Sequence, residues 1–146
     1  EVSLQIEKMI SEGKIREEDK KTIDVKKIYE FSLSPLANRM ADSKMQGKLF
    51  REQPFVFGVP ANRINPEVKS EEVVLVQGII DAYFEEGDEL VLVDYKTDRM
   101  EKEEVLKDRY KTQFDNYKEA LERLTHKRVK ECYIYSFHFG KEILLS

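Results

Sequence analysis

Two short stretches hold residues whose types and spacing suit chemistry. The first is Gln77-Gly78-Ile79-Ile80-Asp81 and the second is Val93-Asp94-Tyr95-Lys96-Thr97-Asp98. Between them lies Glu85-Glu86-Gly87-Asp88-Glu89, the signal of a tight hairpin with glycine at its turn. A loop closing on Gly87-Asp88 pairs Glu86 with Glu89, and the same register sets Asp81 opposite Asp94. Directly opposed side chains share a sheet face, with Cβ atoms about 5 Å apart. Lys96, two residues past Asp94, points to that face as well. Two carboxylates so close repel, and a divalent cation removes the cost. Oxygen donors alone suit Mg²⁺ or Mn²⁺, which keep positions for water and phosphate. The chemistry expected is phosphodiester hydrolysis, with the metal polarising a phosphoryl oxygen and acidifying water. Lys96 would orient or activate that water, or neutralise charge on the phosphate.

The bare acid-x-Lys triplet carries no weight. With 29 acids in 146 residues, chance alone supplies about 3.4 such triplets. The chain has them starting at Glu12, Glu18, Asp19, Asp24, Asp42, Glu67 and Asp94. Only the one at Asp94 follows an apolar strand, Leu90 to Val93, and has a second acid facing it across a hairpin. The competing reading is a solvent-exposed cross-strand charge cluster. Against it stands the cost of an uncompensated Asp81 between Ile80 and Ala82.

The elements that must position these groups follow from periodicity and punctuation. Val2, Ile6, Met9 and Ile10 recur at helical spacing and Gly13 stops the pattern. Asp24 caps a second predicted helix and Ser34-Pro35 a third. Lys48–Val59 reads as a strand, with Pro54 marking an edge or bulge. Ala61–Ser70 reads as loop, Val73–Phe84 and Glu89–Thr97 as strands, and Glu101–Leu124 as a long helix. That helix carries Val105, Tyr110, Phe114, Tyr117, Leu121 and Leu124 on its apolar side. Val129–Phe139 is a further strand and Glu142–Leu145 a short last one. The order implies an α/β fold, a central mixed β-sheet flanked by helices. The expected organisation is a single domain over 1–146, with a helical part at 1–45 and a catalytic α/β core at 46–146.

Composition sets the limits. An apolar content of 40% supports one packed core, and the net charge is −4. The charge is divided: residues 66–98 sum to −8, while residues 36–65 and 99–130 each sum to +3. An acidic centre between basic flanks suits a cation site beside an anion-binding surface; an ordinary solvated surface is the alternative. The single cysteine, Cys132, excludes an iron–sulfur cluster built from this chain alone. No stretch reaches the about 18 apolar residues of a membrane span, so a cytoplasmic setting is expected. The sequence starts at Glu1 without Met, which suggests a piece of a longer protein.

The trio Gly78-Ile79-Ile80-Asp81, Asp94-Tyr95-Lys96-Thr97-Asp98 and Gln113-Phe114-Asp115-Asn116-Tyr117 resembles the nuclease domain of RecB-type helicase–nucleases. These belong to the PD-(D/E)xK superfamily, with the restriction-endonuclease-like fold. Residues between the motifs, and Arg51-Glu52-Gln53-Pro54-Phe55, are most similar to the nuclease domains of AddA-type proteins. The resemblance covers roughly residues 14–146. It implies that Asp81, Asp94 and the backbone carbonyl of Tyr95 bind the metal and that Lys96 is catalytic. It also implies that Gln113, Tyr117 and Glu52 support the site or contact DNA. Tyr117 reads equally as a core aromatic, and Glu52 as a surface acid on an edge strand.

The resemblance further implies a Mg²⁺-dependent exonuclease, with Mn²⁺ as a substitute metal, acting on single strands from unwound DNA. Its setting would be double-strand break repair and recombination, with a partner of the AddB kind and no membrane. ATP would enter only through a helicase part, since the chain has no Gly-x-x-x-x-Gly-Lys-[Ser/Thr] loop. The family's metal-binding histidine precedes these motifs, whereas His126 and His138 both follow them. His126 reads as solvated and His138 as a structural strand residue, so the missing ligand is expected upstream of Glu1. Two other classes stay open: a non-catalytic DNA-binding or docking module, and a stand-alone PD-(D/E)xK exonuclease.

Overall fold

The computed structural model describes residues 2–14, 16–18, 24–97, 99 and 102–146. Three helices lead the chain: α1 (Val2–Ser11), α2 (Val25–Ser32) and α3 (Pro35–Met45). Each of the last two begins where its cap places it. The Asp24 carboxylate accepts from the Lys27 N–H at 3.2 Å, and the Ser34 hydroxyl accepts from the Ala37 N–H at 3.1 Å. Pro35 occupies the first turn of α3, where its missing N–H costs nothing.

Next come β1 (Leu49–Pro60), a four-residue helix α4 (Ala61–Ile64), β2 (Val73–Glu86) and β3 (Glu89–Lys96). Helix α5 (Glu103–Thr125), β4 (Val129–Ser136) and β5 (Lys141–Leu144) complete the chain. The five strands form one sheet in the order β1-β2-β3-β4-β5. β3 and β4 pair in parallel, the other neighbours are antiparallel, and α5 is the crossover between β3 and β4. The predicted hairpin register is present: Glu86 pairs with Glu89, Phe84 with Val91 and Ala82 with Val93. Gly87 adopts φ +63, as the tight turn requires.

Two apolar layers sandwich the sheet. On one face, Ile80, Tyr83, Leu90, Leu92, Cys132 and Ile134 pack against Leu106, Phe114, Tyr117 and Leu121 of α5. On the other, Ala82, Phe84, Val91 and Val93 pack against Leu36 and Met40 of α3. Strict alternation along β2 therefore breaks between Ile80 and Tyr83, since these two share a layer. Glu52, at the same level of β1, takes φ +51, and the ladder passes from Arg51↔Ala82 to Gln53↔Ile80 without it. The register is the same on both sides, so this is a local break in the ladder and not an inserted residue. β1 is an edge strand, which is why it tolerates Pro54.

Some expectations need correction. The predicted loop Ala61–Ser70 contains α4, whose Ala61 N–H is held by the Glu72 carbonyl at 2.8 Å. β4 ends at Ser136 rather than Phe139, because the chain turns at 137–140 and Gly140 takes φ +65. His138 is thus a turn residue, not a strand residue. The buried stripe of α5 runs through Leu106, while Val105 and Leu124 are more than half exposed. The middle of the expected stripe, Phe114, Tyr117 and Leu121, is buried as the apolar count predicts, and only its ends depart from it.

Candidate active site

The site forms where the sheet divides. The β2–β3 ladder ends at Ala82↔Val93. Beyond that point β2 pairs with β1 from Ile80 to Val73, while β3 pairs with β4 as far as Lys96↔Ser136. At the fork the backbone N–H of Tyr95 donates to Oδ2 of Asp81 at 2.9 Å. The Asp81 side chain takes the place of the next ladder bond, which compensates its position in an apolar strand.

Asp94 is 3% exposed, yet it carries a carboxyl group. Oδ2 of Asp94 lies 2.8 Å from Nζ of Lys96 and, among the described residues, has no other partner. Burial, and then the Asp81 carboxyl beside it, push the Asp94 carboxyl up to about 7; Lys96 acts in the opposite direction. Two acids and one ammonium therefore share one space, as their register demands, and the acids are under-compensated.

Helix α5 supplies the other wall. Lys96 Nζ donates to Oε1 of Gln113 at 3.1 Å, and Nε2 of Gln113 donates to the Tyr117 hydroxyl at 2.8 Å. The Lys96 ammonium also lies 4.1 Å from the centroid of the Tyr110 ring. Gln113 and Tyr117 are one helical turn apart, so a single helix face presents both. Tyr117 belongs to the core as well: its ring meets Phe55 edge-on at 5.4 Å. Burial, then Asp94 and Asp81, raise its phenol above the usual range, opposed by the Gln113 bond.

Gly78 lets this layer close. A Cβ there would lie 2.9 Å from Cζ of Phe55 and 3.5 Å from Cε1 of Tyr117. The glycine of the Gly-Ile-Ile-Asp stretch is therefore a steric requirement of the aromatic pair beside the site.

Other sequence candidates sit apart. Glu52 is exposed and makes none of these contacts, although it occupies the level of Asp81 on the neighbouring strand. His126 is the left-handed C-cap of α5 and sits away from the fork. Asp98 lies outside the described residues. Among the described residues, no group of three or more His, Cys, Asp or Glu gathers as a metal cluster. The donors at hand are two carboxylates and backbone carbonyls. That set fits a hard divalent cation: the oxygens are of the right kind, and the buried Oδ2 of Asp94, which has only Lys96 beside it among the described residues, can accept a second cation.

Sequence reasoning placed Tyr110 on the apolar side of α5 and missed its contact with Lys96. The available signal was the Tyr110, Gln113, Tyr117 stripe at i, i+3 and i+7.

Residues 6–142 match the family model of the PD-(D/E)XK nuclease superfamily, and the chain belongs to that superfamily. Nucleases of this superfamily generally use divalent metal ions. Among curated proteins the chain resembles the A-type polypeptide of the ATP-dependent helicase/nuclease. It is 40% identical to the one from Clostridium perfringens (strain SM101 / Type A), across 100% of its own length and 12% of that protein's. The protein of the same name from Acetivibrio thermocellus is 40% identical over 97% of the chain. That from Thermoanaerobacter sp. (strain X514) is 43% identical over 93%. The chain spans 11–12% of the length of these relatives.

Proposed function

We propose that this chain is the nuclease domain of a longer helicase–nuclease polypeptide of the AddA type, hydrolysing phosphodiesters of DNA exonucleolytically. The substrate would be single strands released from unwound duplex, and the setting double-strand break repair and recombination in the cytoplasm. An AddB-like protein would be its partner, and ATP would serve only the helicase part. The observation that carries the reading is the buried Asp94 carboxylate, crowded by Asp81 and paired with Lys96 at the fork of the sheet.

Asp81, Asp94 and the Tyr95 carbonyl would hold Mg²⁺, for which Mn²⁺ can substitute. The cation, when bound, polarises a phosphoryl oxygen and makes water more acidic. Asp81 keeps its carboxylate fixed at the fork through the Tyr95 amide. Lys96 brings an ammonium to the same space, where it orients the attacking water or offsets charge growing on the phosphate. Gln113 holds Lys96 from α5 and is itself bonded to Tyr117. Glu52, at the level of Asp81 on β1, would face an incoming strand or support the metal. A histidine from a preceding helix would complete the donor set. Basic residues between Arg99 and Lys130 supply attraction for the DNA backbone without base selection.

The test is cleavage of single-stranded DNA by the natural full-length polypeptide with Mg²⁺ or Mn²⁺. Activity is expected to disappear in Asp94→Ala and in Lys96→Ala while the circular dichroism spectrum persists. Unchanged cleavage in both variants would remove these residues from the mechanism.

A further inference from the structure

The Lys96 ammonium is held from three directions. Oδ2 of Asp94 lies at 2.8 Å, Oε1 of Gln113 at 3.1 Å, and the Tyr110 ring centroid at 4.1 Å. An ammonium has three N–H donors and no acceptor. Two directions lead to oxygens, and the third wall is an aromatic face. Tyr110 itself is half-buried against the core cluster of α5 and the sheet, so its ring is not free to follow a moving lysine. Its place is set by the helix: Leu106, Phe114 and Leu121 seat α5 on the sheet, and Tyr110 shares the stripe of Gln113 and Tyr117.

We propose that Tyr110 is a positioning residue for Lys96, its ring face holding the ammonium in the reacting space. This rests on the nuclease reading of the site and adds to it a specific function for an aromatic residue. A lysine side chain is long and flexible, and left alone it samples many rotamers. A third carboxylate would confine it, but would also add negative charge beside Asp81 and Asp94. The face of an aromatic ring attracts a cation through its quadrupole, with no net charge and no hydrogen-bond acceptor oxygen. Tyr110 therefore confines Lys96 without competing with phosphate for its charge. Arg109 also lies near this ring, at 5.4 Å, so the experiment must separate the two cations.

The first readout is independent of catalysis. In NMR spectra of this chain, the ε-methylene protons of Lys96 are expected upfield of other lysines from the ring current. The shift persists in Tyr110→Phe and Arg109→Gln and vanishes in Tyr110→Leu. The second readout is DNA cleavage by the full-length polypeptide. Tyr110→Leu is expected to lower kcat about 3- to 30-fold, the range of one cation–π contact. KM stays unchanged, and Tyr110→Phe restores the rate. An unshifted Lys96 in the wild type, or a Tyr110→Leu enzyme with full kcat, overturns the proposal. If the full-length wild type cuts no DNA, the nuclease reading fails, while the ring-current comparison still decides whether Tyr110 holds the ammonium.

Discussion

The backbone N–H of Tyr95 donates to the Asp81 carboxylate across 2.9 Å, joining β2 to β3 at the point where their ladder stops. One carboxylate thereby does two things. It closes the hairpin with a side chain instead of a main-chain carbonyl, and it stands beside Asp94. The strand that ends and the charge that accumulates are two aspects of one geometry.

Asp81→Asn keeps an acceptor for the Tyr95 amide and removes the charge that, after burial, raises the Asp94 carboxyl. In chelator, the variant is expected to melt at or above the wild-type temperature. Mn²⁺ is expected to raise the wild-type Tm, since it binds only the folded state, and to leave the variant unmoved. Thermal unfolding with and without Mn²⁺ checks this; a retained Mn²⁺ increment would contradict it.

Gln113 links Lys96 to Tyr117. Gln113→Leu strips an acceptor from one and a donor from the other. The expected stability loss is about 1–3 kcal/mol, because both partners are at least partly buried. Lys96 loses its α5 anchor at the same time, so cleavage by the full-length polypeptide falls about tenfold or more. A urea midpoint and a rate measured on the same variant separate the two effects.

Gly78→Ala adds a methyl group 2.9 Å from the Phe55 ring. That ring already packs against Phe57 and Tyr117, which limits how far it can retreat. Overpacking of this kind costs about 1–3 kcal/mol. Chemical denaturation is expected to show the loss, and the near-ultraviolet circular dichroism of the aromatic cluster is expected to change with it.

On the opposite sheet face, Arg39 of α3 grips Glu86 at 2.7 and 2.9 Å and Glu131 at 3.1 and 3.2 Å. The Arg39 bonds hold the Glu86 carboxyl down to about 2, with Lys130 helping and burial opposing. Glu86 in the unfolded chain titrates near 4.5. Its contribution to stability is therefore complete above about 4.5 and is lost as the pH falls toward about 2. Unfolding free energies measured from pH 6 to 2 are expected to drop in this window. In Arg39→Ala that slope is expected to flatten, with lower stability at pH 6.

The amino-acid sequence by itself determined what depends on neighbours along the chain. Gly87 permits one tight turn, that turn sets the pairing of Glu86 with Glu89, and the register runs outward to Ala82 and Val93, the residues next to Asp81 and Asp94. Asp24 and Ser34 announce their helices because a cap acts within three residues. Gln113 and Tyr117 meet because helical geometry puts residues four apart on one face. Tertiary packing decided the remainder. How far α5 is rotated against the sheet selects Leu106 over Val105 for burial, and that same rotation carries Tyr110 onto Lys96. The irregularity at Glu52 and Asp81 depends on the β1–β2 pairing and breaks an alternation that the strand pattern alone would continue. The burial of Asp94, which pushes its carboxyl upward, arises only in the folded chain, because desolvation comes from atoms distant in the sequence.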